Sequence, residues 1–183
     1  MGMAAPAFFT AEMVRALPSD GNRYETVHGE LLVTPAPREL HQRVQLRLLL
    51  ELGNYLKRHP AVGALYAAPA DISWGPEILV QPDLFVVALD EARTADWAMM
   101  QTLRLAVEIL SPSTSRQDRF TKRRLYQEVG VATSWFVDCD AGHVEIWTPE
   151  AVFPVIERST VTWLPSGESE PFELSLVEAF KPL

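Results

Sequence analysis

With 183 residues, 48% of them hydrophobic and 22% charged, the chain has the composition of an ordinary globular protein with material for a sizeable core. No stretch reaches the ~18–20 uninterrupted apolar residues of a membrane helix, and a lone cysteine, Cys139, excludes an internal disulfide or a cysteine zinc cluster. A net charge of −8 argues against a broad basic nucleic-acid-binding face. No Lys or Arg precedes Arg15, so the start lacks the basic region of a secretory signal, and Pro6 stands where a myristoylation motif needs Ser or Thr. A cytoplasmic location, with no membrane partner, is the expectation.

In chain order, Thr10 is placed to cap a short helix over 11–17 that Pro18 stops. Residues 23–27 and 30–34 read as a hairpin turning at His28-Gly29, and Pro35-Ala36-Pro37 as a stiff connector. The clearest helix spans 38–58. Leu40, Val44, Leu48, Leu52 and Tyr55 recur at three- and four-residue steps, Leu49 and Leu56 widen the stripe, and Arg43, Arg47, Glu51 and Lys57 lie off it. His41, three residues before Val44, falls near the inward face. Strands are predicted over about 62–74, 79–88 and 103–110, with a short helix or loop at 90–100 between the last two. A second helix over 116–129 precedes a strand at 134–138, paired with 143–147 across Ala141-Gly142. Beyond Pro149, short β segments lead to a closing helix at 176–180. The pattern predicts one α/β domain whose sheet is covered by helices, with an N-terminal hairpin and a C-terminal β extension over about 149–183.

Three residues stand out chemically. Asp83 interrupts the apolar run 79–89 directly after Pro82, which cannot donate to a sheet ladder, so the strand is bulged or at an edge there. Such an acid either points into a cleft or is a solvated group at a kinked strand entry. Glu108 is the ionisable group near the end of LRLAVEIL, on the strand face of Arg104, Ala106 and Leu110. Buried there it needs a partner, and Arg104 is the structural candidate. Lys122 precedes Leu125, Tyr126 and Val129 at helical spacing and shares their inward face, with Asp118 one turn earlier. It is either half of a helix ion pair or a functional ammonium. Two carboxylates on adjacent strands offer hard oxygen ligands to Mg²⁺, and a nearby ammonium can stabilise charge or orient water. Residues 115–124 hold five basic groups and one acid, so Arg116, Arg119 and Arg123 are candidate contacts to a phosphate backbone; Arg38, Arg43 and Arg47 form a second basic cluster.

The ordered set Tyr24-Glu25, Gly29-Glu30-Leu31, His41-Gln42, Gln81-Pro82-Asp83, Val107 to Thr114 (VEILSPST), Asp118/Lys122/Tyr126, Gly130-Val131 and Trp135 to Asp138 (WFVD) resembles the Uma-two family of bacterial restriction endonucleases, within the PD-(D/E)XK superfamily. The resemblance covers about residues 10–148. It implies a restriction-endonuclease-like core, a four-stranded mixed sheet flanked by helices, and a metal-dependent phosphodiesterase site. Asp83 would be the motif aspartate and Glu108 the second carboxylate, both binding Mg²⁺ or Mn²⁺. The superfamily lysine normally follows two residues after that carboxylate. Leu110 stands there, and the resemblance implies that Lys122 replaces it from the following helix. Glu30 and His41 match recurring positions that would complete the metal shell, although His41 also suits a satisfied helix-start histidine. Gln81, Ser111, Asp118 and Tyr126 match as supporting positions; Ser111 and Ser113 also suit a strand turn and a helix cap.

The leading expectation is therefore a Mg²⁺-dependent DNA endonuclease acting as a homodimer, since two sites cut two strands most simply. A catalytically inactive DNA-binding or regulatory module of the same fold is the alternative, favoured by the net charge and by Leu110. A carboxylate-based glycosidase would leave Lys122 and the arginines without a role.

Overall fold

The computed structural model describes residues 8–110 and 116–182, with side chains for all of these except residues 116–118. Helix α1 (Ala11–Arg15) opens on Thr10, whose hydroxyl accepts from the Met13 N–H at 3.2 Å. Strands β1 (Arg23–Val27) and β2 (Glu30–Thr34) form an antiparallel hairpin. Its turn places His28 and Gly29 at φ of 50° and 81°, the positive values that a two-residue turn of matching twist requires. Helix α2 (Glu39–Arg58) follows the proline connector.

Six strands build the central sheet, in the order β3-β4-β5-β6-β7-β8. They are β3 (Ala64–Ala67), β4 (Leu84–Val87), β5 (Leu103–Leu110), β6 (Ser134–Asp138), β7 (His143–Trp147) and β8 (Val155–Glu157). A short α3 (Leu89–Ala92) and a 3-10 turn (Trp97–Met99) join β4 to β5, and α4 (Arg116–Glu128) joins β5 to β6. Among the described residues only β5 and β6 pair in parallel, and a parallel pair needs a crossover, here α4. The sheet is mixed as expected, but β7 and β8 widen it from four strands to six. The long apolar stretches before Leu89 also shrink to β3 and β4. Pro69, Pro76 and Pro82 lie between them and supply no ladder N–H, and the stretch keeps isolated bridges, Ile72–Val80 and Leu79–Thr26. β4 is an interior strand rather than an edge; its register shift lies between Val86 and Val87, not at Pro82, which stands outside the ladder.

Alternation along the strands gives each face its own apolar layer. Val44, Leu48, Leu52 and Tyr55 of α2 pack with Leu84, Val86, Leu105 and Val107. Leu125 and Tyr126 of α4 pack on the opposite face with Phe85, Ala106 and Phe136, together with Val27 and Leu32 of the hairpin. The C-terminal segment, β9 (Thr160–Trp163), β10 (Phe172–Ser175) and α5 (Leu176–Phe180), joins the α2 layer. Tyr55 meets the Phe172 ring edge-on at 5.7 Å and donates to the Glu170 carbonyl at 2.8 Å. Arg47 donates to the carbonyls of Glu178, Ala179 and Lys181 at the end of α5. The β extension is thus part of the core.

Gly63 links α2 to β3 at φ +157°, and a Cβ there would lie 2.3 Å from the Val87 carbonyl oxygen and 2.8 Å from Val86 Cγ1. Backbone of an interior strand cannot yield as a flexible side chain would. Gly63→Ala is therefore expected to destabilise the fold by about 1–3 kcal/mol, the usual cost of forcing an atom into a packed interior. Urea unfolding would measure it; an unchanged midpoint would show that the loop relaxes freely.

Candidate functional site

The pleat and the proline together set Asp83 at the sheet rim, one residue before β4. Extending the Leu84–Val107 register by one step brings it beside Glu108, near the end of β5. Both side chains are buried. Asp83 Oδ1 accepts from Arg23 Nη1 at 2.8 Å, and Oδ2 accepts from the Ile109 N–H at 2.7 Å. His41 Nε2 of α2 lies 3.2 Å from the same Oδ2. The Asp83 carbonyl accepts from Gln45 Nε2 at 2.9 Å and from the Ala68 N–H at 3.1 Å, fixing the backbone on both sides.

Glu108 takes its partners from α4. Lys122 Nζ donates to both carboxylate oxygens at 3.0 Å, and the Tyr126 hydroxyl makes a short hydrogen bond to Oε1. Arg104, the candidate partner from sequence, lies four residues back along an extended strand, about 13 Å at ~3.3 Å per residue. The helix reaches Glu108 and Arg104 does not: among the described residues Arg104 Nε has no hydrogen-bond partner.

A third carboxylate closes the cluster. Glu25 of β1 is fully buried, and its Oε1 lies 2.8 Å from Lys122 Nζ and accepts from the Gln81 N–H at 2.6 Å. Arg23, two residues earlier on the same strand face, also donates to the Gln81 carbonyl at 3.1 Å. Its Nε lies 3.9 Å from Glu25 Oε2, and neither atom has a hydrogen-bond partner among the described residues. The chain of contacts therefore runs Asp83–Arg23–Glu25–Lys122–Glu108–Tyr126. In sequence, Glu25 carried no chemical argument beyond its place in the family resemblance. The readable signal was the alternation that sets Arg23 and Glu25 on the face of buried Val27.

Three carboxylates face two fixed cations, and the imbalance shows in their proton affinities. Burial works against ionised Asp83, but the hydrogen bond from His41 and the Arg23 charge outweigh it and hold the carboxyl well below its usual range. Burial pushes Glu108 up to about 7 despite Lys122, helped by the charges of Asp83 and Glu25. Of Asp83 and Glu108, it is Glu108 that takes a proton first. Burial opposes the charge on Lys122, yet Glu108 and Glu25 more than offset it and raise its pKa. Tyr126 is raised well above its usual value by burial and by the same two carboxylates, so it stays a donor.

A cleft of about 580 Å³ opens on the Asp83 side of this cluster, lined by Arg23, Tyr24, His41, Gln42, Gln45 and Asp83 among others. Among the described residues no group of three or more His, Cys, Asp or Glu side chains forms a ready metal cage. The donor chemistry nevertheless suits a hard cation: three carboxylates, with Glu25 Oε2 buried and without a hydrogen bond among the described residues. Arg23 and Lys122 are the resident competitors for those oxygens.

A family described as "Putative restriction endonuclease", Uma2, matches residues 11–177. The chain belongs to this family. A solved structure of a "putative nuclease belonging to DUF820" from Anabaena variabilis is similar to it at a TM-score of 0.77 and 21% identity, covering 94% of this chain and 97% of that one. That likeness shows the fold. None of the curated proteins compared with the chain matches it.

The other family positions fall variously. Gln81 takes part through its backbone, while its side chain holds Asp71 at 2.8 Å. Glu30 is exposed at the hairpin end. His41 is buried against Asp83, with no hydrogen-bond partner for Nδ1 among the described residues. Ser111 and Ser113, and the side chains of Arg116 and Asp118, lie outside the described residues. Arg119 pairs with Glu145, and Arg123 stacks 4.4 Å over the Trp147 ring, so both are already engaged by the protein. In the second basic cluster, Arg38 pairs with Asp140 and Arg43 with Glu39, each at 3.0 Å.

Two stability measurements follow. Lys122→Met strips the ammonium from two buried carboxylates and is expected to cost about 3–5 kcal/mol, the scale of breaking a buried pair; a loss of a few tenths would match a solvated helix pair instead. A carboxyl with a raised folded-state pKa binds its proton more tightly folded than unfolded, so its contribution falls as pH rises from about 4.5 to about 7. The unfolding free energy of wild type minus Glu108→Gln should therefore decline across that window and level off beyond it. A flat difference would place Glu108 among ordinary acids.

Proposed function

We propose that the protein is a metal-dependent endonuclease that hydrolyses phosphodiester bonds in DNA, with Asp83 and Glu108 binding Mg²⁺ or Mn²⁺ and Lys122 stabilising charge or orienting water. The observation that supports this best is the meeting of Asp83, Glu108 and Lys122 in one buried cluster at the edge of a cleft, in a chain of the restriction-endonuclease-like family. The bound cation would activate water and neutralise charge at phosphorus. Asp83 is kept ionised by Arg23 and His41 and held in place by the Ile109 N–H, so it is a preorganised oxygen donor. Lys122 lies 3.0 Å from both Glu108 oxygens and is anchored by Glu25, which holds its ammonium where negative charge would develop. Glu108 loses its proton near neutral pH, with Tyr126 ready to donate to the resulting carboxylate. DNA as substrate, two copies acting together on two strands, and a cytoplasmic setting belong to the same reading.

The alternative, an inactive DNA-binding or regulatory module, draws on one observation: both oxygens of Asp83 and both of Glu108 already carry donors from the protein itself. Cleavage separates the two. The wild type should cut DNA of mixed sequence with Mg²⁺ or Mn²⁺, and its rate should rise with pH through about 7 as Glu108 ionises. Asp83→Asn should lose both cleavage and Mn²⁺ binding by isothermal titration while remaining folded. Lys122→Met should lower single-turnover cleavage by ~10²-fold or more, the scale of losing one preorganised donor, with metal binding largely kept. Binding of DNA without cleavage under either metal would establish the inactive module.

A further inference from the structure

Arg23 is the least well fitted member of the buried cluster. Its Nη1 is well placed on Asp83 Oδ1 at 2.8 Å, but its Nε stops 3.9 Å from Glu25 Oε2. Both of those atoms are buried without a hydrogen-bond partner among the described residues. A guanidinium that served only as a structural counter-ion would be expected to satisfy its second carboxylate with its second donor. Here it neutralises Glu25 without bonding to it.

Arg23 is also the member with a way out. Its side chain is 20% exposed, against 3% for Asp83, 0% for Glu25 and 6% for Lys122. It lines the cleft beside Asp83, whereas Lys122 does not. The guanidinium keeps its charge at any working pH, and its planar fork suits phosphate oxygens. Withdrawing it alone would leave Asp83 Oδ1 and Glu25 Oε2 buried without a counter-ion, with only their other oxygens still held by His41, the Ile109 N–H and Lys122, which is unfavourable. Withdrawal is feasible when another cation takes its place, so departure of the arginine and arrival of a metal ion are coupled.

We infer that Arg23 is a resident counter-ion that exchanges partners during substrate binding: it leaves Asp83 and Glu25 for a phosphate oxygen of the DNA in the cleft, and thereby releases those carboxylates to the metal ion. This rests on the reading of Asp83 as a metal ligand. It makes DNA and metal each promote the other's binding, since a coupling free energy is reciprocal.

The test is isothermal titration of Mn²⁺ into the full chain, with and without a mixed-sequence DNA duplex carrying phosphorothioate linkages to slow cleavage. DNA should tighten Mn²⁺ binding to the wild type by about tenfold or more, within the usual range of coupled sites. Arg23→Met should bind Mn²⁺ about tenfold more tightly than the wild type without DNA, and DNA should then add little. Arg23→Lys keeps the charge and should stay close to the wild type without DNA. If Arg23→Met is unfolded without metal, Mn²⁺ should restore its circular dichroism and thermal transition; failure to restore them would overturn the inference. Equal Mn²⁺ affinity in wild type and Arg23→Met, unaffected by DNA, would remove the exchange role and leave the metal reading standing. Equal tightening in Arg23→Lys and Arg23→Met would show that charge is not what holds the metal off, and would also overturn it. No Mn²⁺ binding to any form, with or without DNA, would overturn the metal reading and this inference together.

Discussion

At the rim of the sheet, three carboxylates and two cations share a space from which water is largely excluded. Burying any one of them alone would cost several kcal/mol, so each position is constrained by the others. Glu25 is fully buried because Lys122 reaches it, and Lys122 is buried because both Glu25 and Glu108 receive it. Arg23 ties the same strand to Asp83. The interaction therefore fastens the N-terminal hairpin, the loop before β4, the end of β5 and the crossover helix α4 to one point. None of these elements could shift by a residue without leaving a charge unpaired.

The rest of the fold holds that rim in place. The parallel β5–β6 pair requires a crossover, and α4 brings Lys122 and Tyr126 back over the strand that carries Glu108. On the other face, α2 presents His41 and Gln45 to Asp83 while Val44, Leu48 and Leu52 anchor the helix in the core. The C-terminal strands and α5 pack in the same layer as α2, with Phe172 reaching Trp135 of the sheet, and Arg47 ties the two helices together. Asp83 is thus served by one helical layer and Glu108 by the other, and they meet where the sheet ends.

The charge distribution bears on how a polyanion would approach. The chain is acidic, and its basic residues are largely occupied: Arg119 by Glu145, Arg123 by Trp147, Arg38 by Asp140 and Arg43 by Glu39. The Arg38–Asp140 pair, exposed on both sides, is individually weak and yields readily to a phosphate. Arg23 differs because it lies in the cleft itself, between two buried carboxylates. Attraction at this surface would arise from exchange of ion-pair partners more than from a standing basic field.

Several features were legible in the sequence because they depend on local pattern. The stripe on α2, the inward face of α4, the β6–β7 hairpin and the isolation of Glu108 in an apolar strand all follow from side-chain periodicity. The same periodicity put Lys122 on the face of Leu125 and Tyr126, and the family resemblance followed from the ordered motifs. Tertiary structure decided the rest. Whether Glu108 met Arg104 or Lys122 depended on which element crossed above it, and an extended strand separates residues that a crossover helix brings together. The involvement of Arg23 and Glu25 depended on how the N-terminal hairpin docked, more than fifty residues away in sequence from the strand loop it contacts. The number of strands depended on β7 and β8 continuing the sheet beyond β6. Pairings between distant segments are set by packing and by the cost of unpaired buried charge, and neither quantity is written in the spacing of neighbouring residues.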